Sequence, residues 1–270
     1  MKTISITLIF LISISFTVPA PGQSAVQPPI PQVQYKKPDN GVLRIISFNI
    51  RNGIGMDNKT DYDRIAAIIN KISPDVVALQ ELDSVTSRSK GVDVLKILAG
   101  KCGMKATYGA SIPFQGGKYG IGILSKEAPV KTSFTPLPGR EERRGLLMAE
   151  FNHFILFCTH FSLTEADRRE SVGIINQIAS RLNKITFLSG DLNASPESEA
   201  IRSISEQWQN LSGILPTFPS TSPTTCIDYI WGYHRSGSKF RVTETMVVSE
   251  PMASDHRPVF IDVKLKKMVH

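Results

Sequence analysis

Apolar, β-branched runs of strand length recur along the chain, and each stops at a polar or ionisable residue. VLRIISFNI (residues 42–50) lies between Asn40-Gly41 and Asn52-Gly53 and carries Asn49 near its end. DVVALQE (75–81) stops at Glu81, ILFCTH (155–160) stops at His160, and FLSGDLNASP (187–196) leaves a buried stretch for a turn bearing Asp191 and Asn193. Bounded runs of this length read as buried strands. Between them the spacing predicts helices. Ile65, Ile68, Ile69 and Ile72 share one face behind an N-cap at Asp61, and Val172, Ile175, Ile178, Ala179 and Leu182 share another from about residue 164. Shorter helices are expected over 92–98 and 197–208, loops over 114–118 and 216–225, and further strands over 119–125, 146–151, 225–231, 239–248 and 259–263. Strands alternating with helices make an α/β chain, and 270 residues with 41% hydrophobic side chains suffice for one large core.

The polar strand ends carry the chemistry. A carboxylate such as Glu81 at the tip of an apolar strand costs free energy unless it is paired, hydrogen-bonded or bound to a cation. Asp191 and Asn193, two residues apart, can share one phosphate, the acid taking a proton from water and the amide donating to a developing oxyanion. The same decapeptide reads equally as an Asx turn, a lone histidine such as His160 is more often structural, and Asp228 alone reads as a buried structural acid.

The order of the motifs goes further. Asn49 in SFN, Glu81 in LQE, the run YGIGILS (119–125), His160 in CTH, Asp191 and Asn193 in GDLN, Asp228 in CIDYIW and Asp255-His256 in SDH resemble, over about residues 43–263, the motif set of the endonuclease/exonuclease/phosphatase superfamily, whose members include deoxyribonuclease I, sphingomyelinases and inositol-phosphate phosphatases. The resemblance implies a deoxyribonuclease I-like fold, a four-layer sandwich of two mixed β-sheets flanked by helices. It implies a metal-dependent phosphohydrolase with Glu81, Asn49 and Asp255 about a divalent ion, magnesium first and manganese second. His160, Asp191, Asn193 and His256 are its catalytic group, with Asp228 supporting His256. Arg144 and Tyr119 match positions near the substrate phosphate. Cys158 stands where asparagine is common in the family.

Residues 1–25 read as a secretory signal: Lys2, then an apolar core over 4–16 too short to span a bilayer, then Ala20, Ser24 and Ala25. A proline-rich tether over 26–40 and a folded domain over 41–268 follow, so the mature chain is expected outside the cytoplasm, with no transmembrane helix and no obligate protein partner. Cys102, Cys158 and Cys226 show no metal-binding spacing, and a bridge between Cys102 and Cys226 stays open. A net charge of +7 favours phosphorylated substrates without choosing among nucleic acid, lipid headgroup and small ester. A secreted nuclease, and a binding protein that keeps the fold without the chemistry, are the alternatives.

Overall fold

The computed structural model describes residues 35–36, 38–39, 41–234 and 240–265. The expected signal, most of the tether and residues 266–268 lie outside the described residues. Within the tether range, Tyr35 meets Phe260 edge-on with ring centroids 5.6 Å apart, and the Lys36 carbonyl accepts from Arg44 Nη2.

In chain order the elements are β1 Val42–Asn49, α1 Tyr62–Ile72, β2 Val76–Ser84, α2 Val94–Cys102, β3 Lys105–Phe114, β4 Gly117–Ser125, β5 Lys131–Leu137, β6 Arg144–Glu150, β7 Phe154–His160, α3 Glu165–Ala179, β8 Ile185–Asp191, α4 Glu199–Ser205, β9 Trp208–Asn210, β10 Asp228–Tyr233, β11 Arg241–Val247 and β12 Val259–Lys264. They form two six-stranded sheets, ordered β11-β12-β1-β2-β4-β3 and β5-β6-β7-β8-β10-β9. Each sheet is mixed: β1 runs parallel to β2 and β7 to β8, while their other neighbours run antiparallel.

Alternation along the central strands separates the layers. Ile45, Ala78, Ile121, Leu156, Phe187, Ile230 and Ile261 fill the space between the sheets. Ile46, Phe48, Leu79 and Phe260 turn outward to meet Ile65, Ile69 and Leu98 of α1 and α2, and Phe157, Leu188 and Trp231 turn outward to meet Val172, Ile175 and Ile204 of α3 and α4. The result is the expected helix-sheet-sheet-helix sandwich. Each fully buried Ile or Phe contributes roughly 1.5–3 kcal/mol by leaving water. Asp61 caps α1 by accepting from Arg64 N at 2.9 Å, and Asp93 caps α2 in the same way through Lys96 N at 3.0 Å.

Several local expectations are corrected. The 114–118 loop is a tight hairpin turn in which Gln115 and Gly116 have φ of 45° and 80°, so strand continues to Phe114 and resumes at Gly117. The helix over 197–208 ends at Ser205, and Trp208 opens β9 at a sheet edge. The strand over 225–231 starts only at Asp228 and runs to Tyr233. β3 and β5 arise where the sequence showed no apolar run. All three cysteines are free, which closes the question of a Cys102–Cys226 bridge.

Candidate active site

The polar strand ends meet at one rim of the sandwich. β1 and β2 deliver Asn49 and Glu81, and the turn before β12 delivers Asp255 and His256, all from the first sheet. The second sheet supplies His160 at the end of β7, Asp191 at the end of β8 with Asn193 just beyond, and Asp228 at the start of β10, where it sits opposite Asp191 in register.

Two local features aim these side chains. In β2 the register slips between Leu79 and Leu82, so that both leucines face the helices although two residues separate them. That bulge places Glu81 at φ 60°, in the left-handed region, and swings its carboxylate to the rim rather than beneath α1. In β8, Gly190 lies against β7 so closely that a Cβ there would meet the Thr159 carbonyl at 2.1 Å, which lets the strands bring His160 and Asp191 into register.

Asp191 is the hub. Its Oδ2 accepts from Asn49 Nδ2 at 3.0 Å and lies 3.5 Å from His160 Nε2 and 3.6 Å from His256 Nε2, while its Oδ1 accepts from Asn193 N at 2.9 Å. Asn49 Nδ2 also reaches Glu81 Oε1 at 3.0 Å. Asp228 Oδ2 takes His256 Nδ1 at 2.9 Å and the Thr217 hydroxyl at 2.6 Å. The Phe218 ring lies 4.9 Å from the His256 ring, and the Ser254 hydroxyl ties the turn to the Asn49 carbonyl at 2.7 Å. Asp191, Asp228, Asn49, His160 and His256 are all buried.

The two imidazoles hold different charge states. Burial works against protonating His256, but the carboxylates of Asp228 and Asp191 outweigh it and hold its pKa up at about 10. At His160 burial pushes the same way as the Arg144 and His256 charges, overcomes Asp191, and lowers the pKa to about 4. Near neutral pH one ring is cationic and the other neutral, on either side of one carboxylate oxygen. Burial, then the charges of Asp255 and Asp191, raise the Glu81 carboxyl above its ordinary value against the Asn49 hydrogen bond.

The sequence matches the Endonuclease/Exonuclease/phosphatase family over residues 46–256. The chain belongs to that family. No curated protein matches the sequence, whereas many solved structures share the fold. The family protein of Beutenbergia cavernae is 22% identical, with 83% of this chain and 72% of that chain covered and a TM-score of 0.66. The mannosyl-6-phosphatase of Bacteroides thetaiotaomicron is 19% identical over 82% of this chain and 99% of its own, at 0.65. D. rerio TDP2 complexed with single-strand DNA product is 16% identical over 83% and 99%, also at 0.65.

The rim of this family member fits a hard divalent cation. The charges of Asp255 and Asp191 both act on Glu81, so the rim gathers three carboxylates, with cationic His256 Nε2 3.6 Å from Asp191 Oδ2 and Arg51 3.7 Å from Asp255 Oδ2. Asn49 turns its amide nitrogen to Glu81 and Asp191, its oxygen being taken by Arg51 N at 3.1 Å, so it sets the spacing of the carboxylates. Asp191, Asp228 and His256 form a second grouping, their ligand atoms all within 4.8 Å of one another. There the His256–Asp228 hydrogen bond already engages one nitrogen and one oxygen.

Of the residues expected near substrate, Tyr119 is buried, its hydroxyl pushed up by burial and then by Glu81 and Glu142. Arg88 lies over its ring at 5.6 Å and over Phe114 at 4.7 Å, while pairing through two bonds with Asp83. Arg144 is buried between Glu141 and Glu142. Sequence reasoning missed Thr217, Ser254, Arg51 and the pairing role of Glu141 and Glu142. Only Ser254, inside SDH, carried a local signal.

Proposed function

We propose that the chain is an exported, divalent-metal-dependent phosphohydrolase that cleaves a phosphodiester or phosphomonoester bond by attack of water. The observation that carries this reading is the pair of buried imidazoles, one cationic and one neutral, 3.6 and 3.5 Å from Asp191 Oδ2, beside the carboxylates of Glu81 and Asp255. Export rests on the signal-like residues 1–25. Among the described residues no helix is long and apolar enough to cross a membrane.

A phosphate ester is anionic, so water attacks it poorly until charge is neutralised and a proton is removed in place. Glu81 and Asp255 would hold magnesium or manganese, with Asn49 aligning Glu81; a bound ion would supply charge neutralisation to the phosphate. Asp191 orients the water and accepts its proton. His256, cationic and fixed by Asp228, donates through Nε2 to a phosphoryl oxygen, and neutral His160 donates to another. Asn193 spends one amide N–H on the Phe161 carbonyl at 2.9 Å and keeps the second for the transition state.

The substrate is a phosphate ester, from a small sugar-linked phosphate to a nucleic acid. Two structures of this fold span that range: the mannosyl-6-phosphatase, and TDP2 complexed with single-strand DNA product. The test is hydrolysis, with magnesium or with chelator, of plasmid, single-stranded oligonucleotide, sphingomyelin, inositol and sugar phosphates and nitrophenyl phosphates. Metal-dependent turnover of at least one, abolished by Asp191→Asn and by His256→Ala in folded protein, is the expected result. Release only from nucleic acid makes the chain a nuclease, and silence across the panel makes it a phosphate-binding protein of the same fold.

A further inference from the structure

Arg144 opens β6, and the next residue, Gly145, sits opposite His160 in β7. Its guanidinium is gripped from both sides: Nη1 donates to Glu142 Oε1 at 3.0 Å, and Nη2 to Glu141 Oε1 at 3.2 Å. Glu141 is itself fixed, accepting from the Ser162 hydroxyl at 2.8 Å and from Leu163 N at 2.8 Å. Nε is buried, and the side chain as a whole is 7% exposed. A planar fork so withdrawn and so neutralised is poorly placed to embrace a phosphate.

What it does touch is His160, whose Nδ1 lies 3.3 Å from Arg144 Nη1. A guanidinium has five N–H donors and no acceptor. Nδ1 must therefore present its lone pair, and the single proton of the neutral ring sits on Nε2, the atom 3.5 Å from Asp191 Oδ2. His256 is arranged in the opposite sense, its Nδ1 facing the Asp228 carboxylate at 2.9 Å and so carrying a proton. Both rings then offer Nε2–H toward the same carboxylate and the space before it, one as a cation and one as a neutral donor.

We propose that Arg144, locked by Glu141 and Glu142, is a positioning residue that fixes the Nε2–H tautomer of His160. Its catalytic consequence rests on the hydrolase reading above, whereas the tautomer does not. Replacing Arg144 with methionine removes the donor while keeping an apolar stem, and lysine restores a donor without the fork.

Long-range proton–nitrogen correlation spectra of the imidazoles, with His160→Gln to assign the signal, read the tautomer directly. The expected pattern is Nε2–H at His160 in the native chain, a mixture of both tautomers in Arg144→Met, and return toward Nε2–H in Arg144→Lys. On the best ester from the panel, Arg144→Met should lower kcat about 10- to 100-fold with KM held within about twofold, the usual scale for removing a supporting partner. Nδ1–H at His160 in the native chain, or an unchanged pure tautomer in a folded Arg144→Met, overturns the proposal. So does a raised KM at preserved kcat, which would return Arg144 to the substrate. Should no ester be turned over, the hydrolase reading fails and the spectra still decide the role of Arg144.

Discussion

At the scale of single residues, the site works by giving two chemically identical rings different partners. A carboxylate behind His256 makes it cationic against its burial, and burial, helped by the arginine behind it, keeps His160 neutral. The consequences for pH have opposite signs. His256 has a folded pKa above its ordinary 6.5, so the stability it contributes is complete below 6.5 and is lost as pH rises through about 10. His160 has a depressed pKa, so its contribution stands above 6.5 and is lost as pH falls towards about 4. Asp228→Asn removes the main charge holding His256. Titration by nuclear magnetic resonance should then show its pKa falling from about 10 towards or below the ordinary histidine value, with activity down roughly 100- to 10,000-fold. A His256 that stays cationic at pH 9 in the variant would mean that Asp191 and Asp255 suffice to support it. Asp191, Asp228, His160 and His256 were legible in the sequence because each ends or abuts an apolar run. Thr217 was not, because it meets Asp228 only where the chain folds back across 11 residues, and Glu141 and Glu142, though close to Arg144 in sequence, read only as part of an exposed charge cluster.

Among the elements, legibility followed burial. β1, β2, β7 and β8 lie inside the sheets with nearly every residue buried, so they show as apolar runs. β3, β5 and β9 are edge strands. Largely exposed chains such as KTSFTPL in β5 need no apolar run, only backbone bonds to one neighbour, and give no sequence signal. The bulge at Glu81 was equally silent, since a left-handed glutamate is imposed by the pairing of β2 with β4 rather than by its own preference. One buried charge in β1 also joins elements. Arg44 is fully buried, forks onto Asp262 of β12 through two 2.7 Å bonds, donates to the Ile72 carbonyl at the end of α1 and lies 4.6 Å above the Phe260 ring. Removing Asp262 leaves the buried guanidinium only the partly exposed Glu244, 3.5 Å from its Nη2, so Asp262→Ala should cost about 3–5 kcal/mol in denaturant unfolding. An Arg44→Met/Asp262→Leu double variant should recover much of that loss. Equal instability of the single and double variants would show that shape, not charge pairing, governs the position.

For the molecule as a whole, neither sheet holds the site alone: Glu81, Asn49, Asp255 and His256 come from one, and His160, Asp191, Asn193 and Asp228 from the other. The apolar layer between the sheets, with Ile45, Phe187 and Ile261 at its centre, therefore also sets the distances at the rim. Packing holds three carboxylates together there, and burial first, then the charges of Asp255 and Asp191, raise the Glu81 carboxyl. A divalent cation bound there only by the folded state should offset that burial and repulsion and stabilise the whole sandwich, by about 2.7 kcal/mol at a hundredfold excess over Kd, or roughly 5–10 °C in Tm for a chain of this size. Glu81→Gln keeps an oxygen to accept from Asn49 but deletes one negative charge. Without metal it should melt at or above the Tm of the native chain, while its Tm becomes insensitive to magnesium and its hydrolysis disappears. Thermal melts of both proteins with magnesium, manganese and chelator decide the matter: an equal metal-induced rise in the two would place the ion elsewhere, with the Asp191, Asp228 and His256 grouping next in line. A Glu81→Gln chain that is less stable in chelator than the native one would instead make the carboxylate a structural group, held in its left-handed turn for packing rather than for charge.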